Sequence, residues 1–173
     1  MNPMSESPLP LILTLKLDQQ TFSYFDQLRR QHFPPEKNFL AAHITLFHRL
    51  PSDQESSIQQ TLQKFCAHTS VLSLTFPKLR FLGKGVAVEV DCPELIQLRQ
   101  QLAKNWNGWL SRQDQQGYRP HITLQNKSTA NEARQLYNQL ANNWKLFGGN
   151  GEGLLLWYYK GGPWELVREF AFK

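Results

Sequence analysis

The tetrapeptide His43-Ile44-Thr45-Leu46 recurs unchanged as His121-Ile122-Thr123-Leu124 in the second half of the chain. At the same offset Ile58 matches Leu136, Leu62 matches Leu140 and Cys66 matches Trp144. Gln27-Leu28-Arg29 is echoed more loosely by Gln97-Leu98-Arg99. An internal repeat constrains the fold strongly, because each copy must build a similar supersecondary unit. Two copies are too few to stack as a solenoid. They are expected to pack as two pseudo-symmetric lobes of a single bilobal domain over 1–173, with repeats of approximately 9–82 and 85–173.

Hydrophobic periodicity supplies the elements. Residues 11–17 read as a strand, followed by a helix from Asp18 to about His32 with Phe22, Phe25 and Leu28 on its apolar face, ended by Pro34 and Pro35. Residues 41–48 are the next strand, and 53–67 a helix in which Ser52 and Glu55 have capping-box spacing. Strands over 72–82 and 86–90 flank Gly83-Lys84-Gly85, a hairpin turn by composition. The order then begins again: a helix over 93–111 burying Leu95, Leu98, Leu102 and Trp106, a strand over 121–125, and a helix over 130–144 with Thr129 and Glu132 at capping-box spacing. Strands over 153–160 and 164–172 close the chain around Gly161-Gly162-Pro163. The fold class is therefore α+β: each lobe a mainly antiparallel sheet flanked by helices, with a central cleft carrying two His-x-Thr motifs.

Side chains alternate between the faces of a strand. His43 and Thr45 share one face, as do His121 and Thr123, while the Ile and Leu of each copy suit the core. Packing explains a repeated Ile and Leu, but not a repeated exposed His and Thr. Two lobes facing each other would bring two imidazoles and two hydroxyls into one cleft. That set suits phosphoryl chemistry. A neutral His takes a proton from the nucleophile, a protonated His gives one to the leaving oxygen, and the hydroxyls hold the non-bridging oxygens.

Composition narrows the alternatives. With 40% hydrophobic and 12% aromatic residues the chain has too much apolar surface to stay disordered. No run approaches the roughly 20 apolar residues of a membrane span. Residues 9–17 alternate in polarity, contain Lys16 and have no basic stretch before them, unlike a secretory signal. Cys66 and Cys92 are too few for a disulfide scaffold and lack metal-ligand spacing, so a cytoplasmic location is expected. The net charge of +5 is scattered along the chain; it favours polyanions such as RNA only weakly and decides nothing alone.

On the two His-x-Thr motifs the sequence resembles the 2H phosphoesterase superfamily, the group of 2′-5′ RNA ligases and RNA 2′,3′-cyclic phosphodiesterases. Phe33-Pro34-Pro35, Phe47-His48-Arg49-Leu50-Pro51, Tyr118-Arg119-Pro120 and Gly161-Gly162-Pro163-Trp164 extend the resemblance to a bacterial subgroup over nearly the whole chain. The resemblance implies a bilobal fold, His43 and His121 as an acid/base pair, and Thr45 and Thr123 as phosphate holders. It implies an enzyme, a metal-independent cyclic phosphodiesterase without cofactor. Its partner is an RNA end or nucleotide bearing a cyclic phosphate. By the same resemblance the second-motif His activates water and the first-motif His protonates the departing 3′ oxygen, although a pseudo-symmetric cleft could take its substrate either way round. Reversible 2′-5′ RNA ligation and a non-catalytic RNA- or nucleotide-binding module are the rival readings. A monomer is expected.

Strand parity ranks the neighbours. Phe47 and Gln125 share the motif faces, and Arg119 has the same parity. Phe47 reads as a base-stacking ring or as rim packing; Arg119 reads as a phosphate partner or a solvated charge. Tyr118 is a further substrate-binding candidate whose direction Pro120 leaves open. His48 falls on the opposite face from His43, which argues against a metal pair, and His32 and His68 sit at helix ends. Gly148-Gly149-Asn150-Gly151 reads as a turn, and the tryptophans, including Trp106, Trp109 and Trp157, read as core.

Overall fold

The structure, a computed structural model, describes residues 9–173. Residues 1–8, whose lack of basic side chains entered the argument against a signal segment, lie outside the described residues. In chain order the elements are β1 (Leu11–Leu17), α1 (Gln19–His32), β2 (Ile44–Leu50), α2 (Glu55–Ala67), β3 (Leu72–Phe76), β4 (Leu79–Phe81), β5 (Val86–Glu89), α3 (Pro93–Asn105), β6 (His121–Gln125), α4 (Ala130–Asn142), β7 (Phe147–Tyr159) and β8 (Trp164–Ala171). Among the described residues no helix is long and apolar enough to cross a membrane.

The strands form two antiparallel sheets, one of five strands and one of three. Within each repeat a strand–helix–strand unit pairs its own strands, β1 with β2 and β5 with β6. The strand that closes each repeat crosses over: β7 lies against β1, and β4 lies against β5. The orders β2-β1-β7 and β6-β5-β4 are thus the same arrangement, with β3 and β8 added along the other edge of β7. The large sheet takes β7 and β8 from the second repeat and the small sheet takes β4 from the first, so the two repeats interlock. Leu11, Leu13, Ile44, Leu46, Leu154 and Leu156 meet Ile58, Leu62 and Cys66 of α2 in the core behind the large sheet. Helix α4 covers the small sheet with Ala133 and Leu136, and its Tyr137 meets Phe81 edge-on at 5.9 Å.

Caps and breaks account for the boundaries. Asp18 caps α1, accepting from the Thr21 N–H at 2.9 Å, and the Thr129 hydroxyl accepts from the Glu132 N–H at 3.1 Å to cap α4. Ser52 makes no such cap; a 3-10 turn over Ser52–Gln54 leads into α2, and the Glu55 carboxylate accepts instead from the Tyr158 hydroxyl. The single strand expected over 72–82 is two. It breaks at Pro77, which has no N–H for a ladder, and the chain there passes from the large sheet to the small one. Helix α3 stops at Asn105 rather than continuing to 111: Trp106 is anchored in the core and Gly108 turns the chain at φ 89°. Gly148-Gly149-Asn150-Gly151 lies inside β7 and is not a turn. A Cβ at Gly149 would sit 2.3 Å from the Thr21 hydroxyl, so glycine allows this strand to approach the start of α1.

Candidate active site

Each motif strand carries the same irregularity. In β2, Thr45 pairs with Thr14 and Phe47 with Leu13, which leaves Leu46 as an extra residue. In β6, Thr123 pairs with Ala87 and Gln125 with Val86, which leaves Leu124 extra. A β-bulge of this kind shifts the alternation by one residue and re-aims the side chains beyond it. Thr45 and Thr123, which precede the bulges, line the cleft, whereas Phe47 and Gln125, which follow them, turn into the interior, 0% and 5% exposed. Phe47 packs against Trp106 at 5.0 Å and under the Arg99 guanidinium at 4.2 Å, so it has no free face for a base. The bulge turns His48 into the cleft instead, correcting its expected place on the opposite face.

His43, Thr45, Tyr118, Arg119, His121 and Thr123 line one cleft of about 360 Å³, together with His48 and Arg80. The two motif histidines are oriented alike. His43 Nδ1 donates to the Ala41 carbonyl at 2.8 Å, and His121 Nδ1 donates to the Arg119 carbonyl at 3.0 Å. A carbonyl can only accept, so each Nδ1 carries the proton and each Nε2 is left to the cleft. Arg80 Nη1 lies 3.4 Å from His121 Nδ1 and acts there as a neighbouring charge, since two donors cannot share a hydrogen bond. The Ala41–Ala42 approach is held in turn by Asp26 of α1, which accepts from the Ala42 N–H at 3.0 Å.

Burial is the main influence on both imidazoles. It pushes His43 from the ordinary 6.5 down to about 4, with Arg29, His121 and His48 adding repulsion against its bond to Ala41. Burial also lowers His121, aided by Arg80, His48 and Arg119.

Arg29 and Arg99 bring positive charge near the first motif, but both are tied to backbone carbonyls. Arg80 and Arg119 stand on the His121 side, and both pair with Glu89, at 3.2 and 3.3 Å. Across the small sheet Thr123, Ala87 and Arg80 form one row; the equivalent row of the large sheet is Thr45, Thr14 and Leu155. Arg80 is a residue that strand parity alone did not single out, because it needs the β4–β5 pairing to reach the cleft. Tyr118 lines the cleft, but its hydroxyl donates to the Thr45 carbonyl at 2.8 Å and so braces the first motif.

His48 is held by Asp114, which is 1% exposed and accepts from the His48 and Arg49 N–H groups at 2.8 and 2.9 Å and from His48 Nδ1 at 3.2 Å. This leaves His48 Nε2 pointing away from its carboxylate partner, on a side chain that stays 43% exposed. The echoed arginines secure the bulges. Arg99 of α3 donates to the Leu46 carbonyl at 3.1 Å and to the Asp114 carbonyl at 2.7 Å. Arg29 of α1 donates to the Thr123 carbonyl at 3.1 Å and to Asn38 at 2.9 Å. The first helix of each repeat, α1 or α3, thus holds the motif strand of the other repeat.

This constellation accords with the sequence family. The model of the 2′-5′ RNA ligase superfamily matches residues 17–163, a span containing both motifs and every residue of the cleft except Trp164. The chain belongs to the 2′-5′ RNA ligase superfamily. No curated protein matches it. Solved structures similar to it include Escherichia coli LigT complexed with 3′-AMP, at 18% identity and a TM-score of 0.62, covering 96% of this chain and 99% of that one. TT0787 of Thermus thermophilus is similar at 12% identity and a TM-score of 0.66, covering 95% and 98%. At these identities the likeness is one of fold, and it extends over both lobes.

For a member of this superfamily the electrostatics carry a testable consequence. With both imidazoles pushed below 6.5, the two motif histidines are neutral at pH 7 in the free protein. An anion between them favours the imidazolium and draws a proton in. The His43 ring-proton titration, followed by NMR, is expected to have its midpoint near 4 in the free protein and to move upward with inorganic phosphate. An unmoved midpoint would show that His43 does not face the bound anion. The same shift makes the unfolded chain bind more protons than the native one between about 4 and 6.5, so His43 makes stability rise with pH across that window.

Proposed function

We propose that this protein opens 2′,3′-cyclic phosphates of RNA ends or nucleotides, with His43 and His121 as the acid/base pair. One observation carries the reading: two imidazoles, each with Nδ1 tied to a backbone carbonyl and Nε2 without a hydrogen-bond partner among the described residues, line a single cleft together with two threonines. His121 Nε2 takes a proton from water as the water oxygen attacks phosphorus. The P–O3′ bond breaks with its electron pair on O3′, and His43 Nε2 delivers its proton there, leaving a 2′-phosphate. Thr45 and Thr123 donate to the non-bridging oxygens as their charge grows, and Arg80 adds positive potential beside Thr123. The reading invokes no metal or cofactor.

The uneven surroundings support this division of roles. His43 has the Trp164 ring 4.8 Å away and an apolar wall, which suits the nucleoside whose O3′ takes the proton, and burial holds His121 below the ordinary imidazole value, as a neutral base requires. His43 receives its proton through the negative charge of the bound substrate. The superfamily description also favours the rival in which the 5′-hydroxyl of a second RNA end replaces water, giving a 2′-5′ linkage through the same steps.

The test is phosphorus NMR of the protein with a 2′,3′-cyclic nucleotide and EDTA, beside a His43→Ala/His121→Ala control. Ring opening by the unaltered protein alone is the expected outcome, and the position of the product signal identifies the oxygen that left. Binding without turnover, on cyclic-ended RNA as well as on mononucleotides, would replace this reading by a binding module.

A further inference from the structure

Beyond His43 the cleft continues into a second cavity of about 390 Å³, and the two share only His43 and Trp164 as walls. Its chemistry differs from that of the motif cleft. The walls are Phe22, Phe39, Leu155, Trp157, Pro163 and Trp164, with the Trp157 and Trp164 rings 6.0 Å apart. These tryptophans are half-buried and face the cavity, which corrects their expected place in the core. Phe39 is 62% exposed at the cavity edge, an unusual position for a large ring with no covering partner among the described residues.

Three polar side chains here are already engaged. Lys16 is paired with Glu169, the Thr14 hydroxyl accepts from the Trp157 indole at 2.9 Å, and the Gln19 amide donates to Ser23 at 2.9 Å. Of the adjoining backbone, the Ala42 N–H is bound to Asp26 and the Ala41 carbonyl to His43. Among the described residues the cavity therefore offers flat apolar surface and no free charge. Anionic groups are left to the motif cleft, where Arg80 occupies the position that Leu155 takes on this side.

We infer that this aromatic-walled cavity holds the nucleobase of the nucleoside whose phosphate lies between Thr45 and Thr123. A small, mostly apolar cavity opening beside a reacting group suits a planar, neutral ring system. Because the walls are mainly aromatic and aliphatic and the Lys16, Thr14 and Gln19 side chains already have partners, recognition comes from stacking and buried area more than from hydrogen bonds to the base edge. Purines then outrank pyrimidines, while adenine and guanine are treated alike. This rests on the proposed cyclic phosphodiesterase reading for its orientation, with the ribose against His43.

The test is a binding series, so that it stands apart from turnover. Adenosine, guanosine, cytidine and uridine 2′-monophosphates are titrated against the protein by calorimetry, beside ribose 2-phosphate, which lacks a base. Adenosine and guanosine monophosphates are expected to bind about ten- to a hundredfold more tightly than ribose 2-phosphate, with cytidine and uridine between. Phe39→Ala and Trp164→Ala should each shrink the ratio of adenosine to base-free affinity at least about threefold. Equal affinities with and without a base, or variants that leave the ratio unchanged, would overturn the assignment. So would a tenfold preference between adenine and guanine, which requires edge recognition. Should no cyclic phosphate be opened while the base ratio holds, the catalytic reading fails and the nucleobase cavity stands.

Discussion

Replacing His43 or His121 by glutamine is expected to lower the rate of cyclic-phosphate opening by about 10²- to 10⁴-fold each, the usual contribution of a positioned acid or base. Neither ring is part of the core, and each makes its Nδ1 bond to a loop carbonyl rather than to a packed side chain, so the fold should survive. In the proposed mechanism the pair acts on one proton relay. The doubly substituted protein should therefore lose much less than the product of the single effects. Steady-state rates on a 2′,3′-cyclic nucleotide, with circular dichroism to check folding, decide it. A loss below tenfold in either folded variant would remove that histidine from the mechanism. The limbs of the pH–rate profile separate the roles: His121→Gln should remove the acidic limb, which belongs to the base, and His43→Gln the limb that belongs to the acid. Loss of the same limb in both variants would count against distinct roles.

The second large effect is on stability. Arg99→Met keeps a long apolar stem against the Phe47 and Tyr118 rings but removes the donors to the Leu46 and Asp114 carbonyls. Each buried acceptor left without a partner costs about 1–3 kcal/mol. The expected loss is about 2–5 kcal/mol, or a fall in Tm of roughly 5–15 °C for a domain of this size. Thermal unfolding followed by circular dichroism measures it. A fall under about 2 °C would mean that water replaces the guanidinium and that Arg99 does not hold the bulge. The loss has a functional side as well, because Leu46 is the extra residue whose insertion turns Phe47 inward and His48 into the cleft.

Much of this arrangement is legible in the sequence. The duplicated His-Ile-Thr-Leu indicated the sheet strands, the cleft-facing His and Thr, and the α+β class, because alternation along a strand is local and needs no partner. The helices were readable for the same reason: Phe25, Ile58, Leu62, Leu98 and Leu136 recur at helical spacing and are buried. Asp18 and Thr129 cap as their types suggest, but Ser52 does not, since a 3-10 turn replaced the geometry its hydroxyl needs.

The misplaced residues share a cause. Phe47, His48 and Gln125 were assigned by uninterrupted alternation, and a bulge after each threonine shifted the count by one. No glycine marks either bulge. They depend on how β2 and β6 register against β1 and β5, and on distant arginines that take up a carbonyl at each one. Arg80 stayed hidden because only the β4–β5 pairing sets it in line with Thr123, and Trp157 and Trp164 because only the β7–β8 ladder leaves them on an open face.

The sequence by itself determined the repeat, most of the element order, the family resemblance and the strand faces of the two His-x-Thr motifs, all of which rest on residue type and spacing within a few turns or strands. The tertiary structure alone decided the exchange of β4 and β7 between the sheets, the bulges, and the contrast between a cationic His121 side and an aromatic His43 side. These depend on which strands lie side by side and in what register, and that is set by contacts between residues far apart in the chain. The two copies of the motif are identical as text. What distinguishes them is the surface each one meets across the cleft.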